Sequence, residues 1–156
     1  MQADIATLAA TSLARDEDVQ QYVTVRLDKQ LFGIPVLVVR DVLRYQPVTP
    51  IPLAPGDVSG LLNLRGRIVT AIDARHRLGL PPIEAGTRRM SVVVDHKGEL
   101  FSIIVDSVGE VLALSAHAIE KNPANLEPKW KEVSSGISKL KEELLIVLDV
   151  KTLLNL

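Results

Sequence analysis

Two aspartates are the first candidates for a catalytic pair of carboxylates. Asp73 and Asp149 each come directly before a short apolar segment with a helical pattern. Paired carboxylates perform acid–base chemistry when their surroundings separate their pKa values. An aspartate just ahead of a helix is also a common N-cap, because its side chain accepts hydrogen bonds from free backbone N–H groups. Since both residues occupy the same place before their helix, the sequence favours two caps over a catalytic pair.

The other reactive side chains form no recognised constellation. The three histidines, His76, His96 and His117, lack the i, i+4 spacing and the carboxylate partners of a metal site. No serine lies in a Gly-x-Ser-x-Gly turn, no glycine-rich phosphate loop occurs, and the absence of cysteine excludes a thiolate nucleophile or ligand. The sequence therefore predicts no catalytic residue, no cofactor and no metal.

Composition narrows the function further. Hydrophobic residues make up 47% of the chain and aromatic residues only 3%, which predicts an aliphatic core rich in β-branched residues. A formal charge of −1 argues against a polyanion as the main ligand, and the few aromatics cannot furnish a base-stacking or proline-binding groove. No apolar run approaches about 18 residues and no secretory leader is visible, so we expect a cytoplasmic protein. Protein recognition through aliphatic surface is the function class that remains.

The sequence contains an internal repeat, which indicates the fold that positions the two aspartates. Leu31-Phe32-Gly33-Ile34 returns as Leu100-Phe101-Ser102-Ile103, with an offset of 69, and Gly60 and Asp73 return as Gly136 and Asp149, with an offset of 76. Two similar modules of short alternating strands predict a mainly β fold of two small barrels packed together, with short helices and a C-terminal helix. The predicted divisions are a mobile tail at 1–18, a first barrel at 19–80, a connection at 81–89 and a second barrel at 90–156.

Local patterns place the main elements. Strands are expected from Gln21 and at 31–36, and a hairpin at 58–72 turns around Arg65-Gly66-Arg67. Asp73 caps a helix that ends at Gly79. Val38, Val39, Val42 and Leu43 recur at three and four residues, which predicts one or two helical turns.

The stretch from Gly60 to Val69 carries the most specific signal. It reads Gly-Leu-Leu-Asn-Leu-Arg-Gly-Arg-Ile-Val, and Ile72-Asp73-Ala74-Arg75 follows. This run resembles the signature of the CheW-like chemotaxis coupling proteins, and the resemblance extends over about residues 20 to 155. It implies two SH3-like five-stranded β-barrels and a scaffold without catalytic activity. Such a scaffold links the cytoplasmic tips of helical chemoreceptors to the regulatory domain of the histidine kinase CheA.

The resemblance also implies functional positions. It places receptor contact around Val39 and Asp41 and makes Gly60 and Arg65 important for coupling, with Asn63 and Gly66 in the same run. Val42, Val108 and Val111 join Val39 as candidate lining of a crevice between the modules, in which an apolar helical stripe would dock. The alternative is that these valines are all core. The expected kinase contact is a separate aliphatic face formed by Leu61, Leu62 and Ile68.

Arg65 has two possible roles in this scheme. Its guanidinium either braces the proline-rich loop at 47–55 by hydrogen bonds to carbonyls or reaches a carboxylate of a partner.

Three functions remain open on the sequence alone. The first is an adaptor for chemoreceptors and CheA, monomeric in isolation, recruited to membrane-associated receptor arrays, with no nucleic-acid partner and no membrane insertion. The second is a coupling protein of the same fold in another pathway, such as pilus-based motility. The third is a small twin-barrel enzyme that uses Asp73, Asp149 and His76.

Overall fold

The computed structural model describes residues 19–155, so the tail expected at 1–18 lies outside the described residues. The described chain is mainly β, with ten strands, three short α-helices and two 3-10 turns. The strands are β1 Val19–Leu27, β2 Gln30–Pro35, β3 Val39–Arg44, β4 Val58–Leu64, β5 Arg67–Asp73, β6 Met90–His96, β7 Glu99–Val105, β8 Ser107–Ser115, β9 Ser134–Lys139 and β10 Leu144–Leu148. The helices are α1 Ala74–Arg77, α2 Pro128–Val133 and α3 Val150–Leu153, and the 3-10 turns are Val36–Val38 and Ala116–Ala118.

The strands form two five-stranded sheets, and each sheet takes strands from both halves of the sequence. Sheet A has the order β8-β1-β2-β10-β9, and sheet B has the order β3-β6-β7-β5-β4. The predicted boundaries at residues 80 and 90 therefore do not separate the two barrels. After β2 the chain crosses from sheet A to sheet B, and after β7 it crosses back, so the halves exchange their first two strands.

The two sheets are copies of each other. Replacing each strand by its repeat partner converts the order of sheet B into the order of sheet A. Each sheet has one parallel pair, β2 with β10 in sheet A and β5 with β7 in sheet B. The register shifts between β1 and β8 recur between β6 and β3, and those of the two hairpins also correspond. The duplication in the sequence is thus a pseudo-two-fold relation between sheets built from both copies.

Three apolar clusters follow from the alternation of side chains along the strands. The largest lies between the sheets, because it takes residues from both; Phe32, Ile72, Ile103 and Ile146 are fully buried in it. Two smaller clusters contain the residues on the other face of each sheet, with Leu145 in sheet A and Val69 in sheet B. Burial of apolar surface stabilises a fold by about 25 cal/mol per Å². A module of this size alone has only a marginal core, so the cluster shared between the sheets stabilises both modules.

The predicted helical turns at 38–43 are wrong beyond residue 38. Only Val36–Val38 is a 3-10 turn, and Val39–Arg44 is an edge strand. Val39 pairs with Val94 and Asp41 with Val93, so Arg40 is an extra residue in a β-bulge. One inserted residue puts side chains three positions apart on the same face, which imitates helical spacing.

The predicted caps and hairpins are confirmed. Asp73 accepts hydrogen bonds from the backbone N–H groups of Arg75 and His76, and Asp149 accepts one from Thr152. Gly79 follows α1 with a positive φ of 74°, the conformation that commonly ends a helix.

The connection between β8 and β9, which the change of repeat offset from 69 to 76 makes seven residues longer than its counterpart, docks on the first half. It contains α2, whose Trp130 packs edge-on against Phe32 with the ring centroids 5.6 Å apart. The indole N–H of Trp130 donates to the carbonyl of Leu78 at 3.0 Å, beyond the end of α1. This contact fixes α1 and α2 together beside the central cluster.

Candidate partner-binding surfaces

Four valines predicted to bind the receptor face the layer between the sheets. Val39 and Val42 lie on the edge strand β3, and Val108 and Val111 lie on the edge strand β8. Directly opposite residues in an antiparallel pair point to the same face, and the residues opposite these valines are all buried in the central cluster: Val94, Val92, Val25 and Val23. The bulges in β3 and β8 therefore bring both pairs of valines to the same layer.

Exposure separates Val42 from the other three. Val39, Val108 and Val111 are half-buried and pack against the central cluster, whereas Val42 is 37% exposed. The valines were expected either to line a binding crevice or to belong to the core, and these two interpretations apply to different residues. Three of them support the core at the margin of the sheets, and Val42 is the one with substantial free apolar surface.

An ion pair joins the edge strand β3 to the turn that follows the other edge strand of sheet B, β4. The hairpin between β4 and β5 brings Arg65 to Asp41, with 3.2 Å between guanidinium Nη1 and carboxylate Oδ2. Asp41 also accepts a hydrogen bond from the backbone N–H of Val42 at 2.9 Å. The pair spans an open groove of about 390 Å³. The groove is lined by Arg40, Asp41, Leu43, Gln46, Leu64, Arg65, Arg67, Val93 and Leu100.

The hairpin turn holds Arg65 in a defined place. Arg65 and Gly66 have φ values of 51° and 84°, as a two-residue turn with two left-handed positions requires. The side-chain oxygen of Asn63 accepts a hydrogen bond from the N–H of Gly66 at 2.9 Å and closes the turn. Asn63 and Gly66 therefore have a structural role in presenting Arg65.

The predicted brace from Arg65 to the proline-rich loop is wrong. Within residues 19–155 the guanidinium makes no hydrogen bond to a carbonyl of 47–55 and pairs instead with Asp41. The side chain of Arg65 is 87% exposed, so a partner carboxylate can compete for it.

Gly60 is required by a close backbone approach. A Cβ atom at this position would lie 2.3 Å from the carbonyl oxygen of Thr49, and the φ of Gly60 is 153°. Thr49 and Leu61 exchange backbone hydrogen bonds, which attach the proline-rich loop to β4. Gly136 has the same φ and the same relation to Glu120 in the other sheet. The repeated glycine thus serves the fold at both positions.

The face predicted to bind the kinase is only partly available. Leu62 is 8% exposed and packs in the smaller cluster of sheet B, so its inclusion in a contact surface is wrong. The reason is strand alternation, since Leu62 lies opposite buried Val69, whereas Leu61 lies on the other face of the hairpin with Ile68. Ile68 is 64% exposed, and Leu61 is half-buried.

Two exposed apolar residues near this face were not predicted. Ile51 is 37% exposed and Leu53 is fully exposed, and both belong to the loop that Thr49 attaches to β4. The signal in the sequence was the placement of two large aliphatic residues among four prolines, where no core is available to bury them.

The candidate acids and bases of an enzyme are not assembled into one site. The carboxylates of Asp73 and Asp149 cap different helices, and the Nδ1 atom of His76 lies 2.5 Å from the carboxylate of Asp57. Among residues 19–155, no group of three or more histidine, cysteine or acidic side chains is placed to hold a metal ion. In the same range, no helix has the length and apolar character needed to cross a membrane.

The strongest electrostatic contact supports the crossing between the sheets. Arg75 in α1 makes two hydrogen bonds of 2.7 Å to Asp106, the residue between β7 and β8. Burial acts to raise the pKa of Asp106, but hydrogen bonds from Arg75 and from the backbone N–H of Asp28 outweigh it and hold the pKa below its usual value. Asp106 is therefore ionised at neutral pH and ties α1 to the second crossing.

Comparison with known proteins agrees with this geometry. The family model of the CheW-like domain matches residues 21–156. The chemotaxis protein CheW of Klebsiella aerogenes is 31% identical over 97% of this chain and 92% of its own length. That of Treponema pallidum is 29% identical over 92% of this chain and 86% of its own.

A solved structure extends the comparison to the fold. The scaffolding protein TtCheW from Thermoanaerobacter tengcongensis superposes with a TM-score of 0.79 at 26% identity, over 88% of this chain and 93% of that one. The two five-stranded sheets are accordingly the two SH3-like barrels of this fold. The chain therefore belongs to the CheW-like domain family and is a coupling adaptor of chemotaxis.

Proposed function

We propose that this protein joins the cytoplasmic helical tip of a chemoreceptor to the regulatory domain of the kinase CheA by non-covalent contacts alone. The observation that carries the proposal is the match of the CheW-like domain over residues 21–156 to a body with two separate partly apolar surfaces. An adaptor must bind two partners at the same time, so its two contact surfaces must not overlap.

The proposed receptor surface is centred on Val42 in the edge strand β3. Val42 is 37% exposed, and half-buried Val39 continues the same apolar face. Val108 and Val111, at the matching place on β8, are proposed as further apolar contacts of the receptor. An apolar stripe of a receptor helix would bury Val42, while Asp41 at the groove provides a rim charge that selects partners more than it adds affinity.

The proposed kinase surface is the exposed end of the hairpin β4–β5, on the face that carries Leu61 and Ile68. Ile68 supplies most of its exposed apolar area, and Leu61 borders it. β4 is an edge strand of sheet B, and at Leu61 its edge is covered by the loop that Thr49 attaches, so a partner barrel would pack on the exposed side chain of Ile68 and not pair with β4. This face lies on the opposite side of the hairpin from the cluster that buries Leu62.

Arg65 and its turn lie between these two surfaces. Asn63 and Gly66 hold the turn, Gly60 fixes the start of the hairpin, and Arg65 reaches across to Asp41 on β3. A receptor that engages β3 changes the environment of Asp41 and thereby of Arg65, which belongs to the hairpin that contacts the kinase. The Asp41–Arg65 pair is the proposed connection between receptor and kinase.

The scale of the surfaces fits weak contacts in a large assembly. Small transient interfaces have affinities on the order of micromolar, and many such contacts in an array give stable association. We propose that the protein is a monomer in isolation and is recruited to membrane-associated receptor arrays by its partners.

The test is a binding experiment with two variants that serve as controls for each other. Val42→Asp should lose binding to immobilised receptor tips by about tenfold or more and retain the kinase regulatory domain. Ile68→Asp should show the reverse pattern. Ile68 is 64% exposed and Val42 is 37% exposed, so each new carboxylate retains contact with water, and unchanged thermal melts would verify that both variants fold.

Two results would contradict the proposal. Wild-type protein that binds neither partner would remove the adaptor function. Loss of both partners by each folded variant would show one shared surface, which an adaptor cannot use for two simultaneous contacts.

A further inference from the structure

A second groove, away from the Asp41–Arg65 pair, is lined by three arginines. It is open, has a volume of about 520 Å³, and lies where the end of β3 meets the start of β6. We call it the arginine groove. Its lining residues are Arg44, Tyr45, Gly86, Thr87, Arg88, Arg89 and Met90.

One of the arginines is held in a fixed orientation. The guanidinium of Arg89 lies 4.0 Å from the centre of the Tyr45 ring, and the backbone N–H of Tyr45 donates to the carbonyl of Arg89 at 3.1 Å. A guanidinium stacked on an aromatic ring keeps its in-plane N–H groups available for a carboxylate. The stack therefore presents an ordered donor to the groove.

The arginines of this groove form no ion pair with a carboxylate among the described residues. Within residues 19–155, none of its three arginines lies within 4.0 Å of a carboxylate oxygen. Asp106 and Glu84 line an adjoining pocket with Arg89, and the charge of Arg89 acts on Asp106. Both carboxylate oxygens of Asp106, however, accept hydrogen bonds from Nε and Nη2 of Arg75. Three like charges near each other repel, so this arrangement costs the isolated protein free energy.

The surrounding sequence is basic although the whole chain is not. Residues 40–89 contain eight arginines and four acidic residues, whereas the full chain has a formal charge of −1. The positive potential is therefore local to this part of sheet B and its connection.

The pseudo-two-fold relation supplies an internal control. Arg44, Tyr45, Arg88 and Arg89 correspond to Ala113, Leu114, Val19 and Gln20 in sheet A. Gln20 pairs with Leu114 there, as Arg89 pairs with Tyr45 here. The same backbone thus forms without any charge, which means that the fold does not require the three arginines.

We propose that the arginine groove binds a short acidic segment of a partner protein through its carboxylates. Guanidinium groups match carboxylates bidentately, and Tyr45 and Met90 provide apolar walls for the intervening side chains. A short segment contacts only the local positive region, whereas a long polyanion such as nucleic acid would also meet the net negative remainder of the chain. The lining of the groove contains neither Val42 nor Ile68, so the inference does not depend on either proposed contact.

The test uses a fluorescein-labelled hexaglutamate peptide and fluorescence anisotropy at low salt. The wild-type protein should bind the peptide, and Arg44→Gln/Arg88→Gln/Arg89→Gln should weaken binding by about tenfold or more. The control is Lys97→Gln/Lys121→Gln/Lys141→Gln, which removes the same charge from exposed positions outside the groove and should change affinity by less than about twofold. Amide chemical shifts should move around residues 44–45 and 86–90 on addition of peptide.

Several outcomes would overturn the proposal. They are no peptide binding by the wild type, equal weakening by the control triple variant, and shifts confined to residues outside the groove. The groove would be assigned to a phosphate ligand, and the acidic protein segment rejected, by one further result. In that result the protein binds inorganic phosphate or phosphatidylserine vesicles preferentially, and hexaglutamate does not compete. Because the arginine variant should still bind receptor tips and kinase, failure of this proposal is distinguishable from failure of the adaptor function.

Discussion

Strands β3 and β8 occupy matching edges of the two sheets, yet they present different chemistry. Both have the bulge that turns two valines toward the central cluster. β3 then offers Asp41, paired with Arg65, and Arg44 in the arginine groove. The corresponding residues of β8 are Glu110, which makes no ion pair among residues 19–155, and Ala113.

This difference distinguishes residues that the fold requires from residues that are available to bind partners. Features found in both sheets, such as the bulges, the glycines at 60 and 136 and the two aspartate caps, follow from backbone geometry. Features found in one sheet only are free to serve partners. Substitutions at matched positions test this distinction.

The largest effect is expected at the repeated glycines. Gly60→Ala and Gly136→Ala should each lower the free energy of unfolding by about 2–4 kcal/mol, because the new methyl group would meet a backbone carbonyl oxygen at 2.3 Å or 2.7 Å. The control is Gly86→Ala, where no atom of residues 19–155 other than the chain neighbours lies within 4 Å of the added Cβ and only the strain of a positive φ remains, on the order of 1 kcal/mol. Urea denaturation of the three variants gives the comparison. Equal losses at all three positions would contradict a steric origin.

A smaller effect is expected at Asp106, which occurs in one half only. Asp106→Asn should destabilise the protein by roughly 2 kcal/mol at pH 7, since Arg75 would lose its charged acceptor. The pKa of Asp106 is lowered in the folded state, so its contribution is complete above the unfolded pKa of about 3.9 and disappears as the pH falls through the folded value. Thermal melts from pH 7 to pH 3 should show the wild type and the variant converging in acid. The repeat position is the 82% exposed Leu37, and Leu37→Asp should change stability by less than about 0.5 kcal/mol.

The two caps should have matched effects of about 1 kcal/mol. Asp73→Ala and Asp149→Ala each remove a side chain that accepts backbone hydrogen bonds at the start of a helix, α1 or α3. Chemical denaturation should therefore show similar losses for both variants, with binding of partners retained at low temperature. If one substitution left stability unchanged and abolished an activity, that aspartate would be a reactive group and the pairing of the two positions would fail.

The smallest effect on stability is expected at Arg65. Its side chain is 87% exposed, so Arg65→Ala should change the free energy of unfolding by less than about 1 kcal/mol. Kinase control by receptors should nevertheless be lost, because the connection between β3 and the hairpin is absent. Arg67→Ala neutralises the neighbouring arginine, which makes no ion pair among residues 19–155, and should retain control. A large drop in the melting temperature of Arg65→Ala would assign it to the fold.

Periodicity and repeats were enough to predict the mainly β class, the two barrels, the hairpin at Arg65 and the caps, since each depends on local sequence. The exchange of strands was not predictable in this way. Which sheet receives β1 and β2 depends on packing between distant residues such as Phe32 and Ile146, and each half alone shows the same alternation. The β-bulge at Arg40 misled the local assignment because its spacing imitates a helical turn.

The surfaces were predicted less well than the fold. Val42 and Ile68 are exposed as a contact requires, but Leu62 is buried because a strand directs alternate residues to opposite faces, and the absolute face is set by the partner strand. The partner of Arg65 was also missed, since Asp41 lies in another strand and comes close only when the hairpin is folded over the groove.

Reconstitution of kinase control tests whether this protein couples receptor to kinase. Receptor, CheA and this protein are combined, and CheA autophosphorylation is measured with and without receptor ligand. We expect ligand to control the kinase only when the wild-type protein is present, and we expect Val42→Asp and Ile68→Asp each to abolish that control. Ligand control that persists without the protein, or with both variants, would contradict the account.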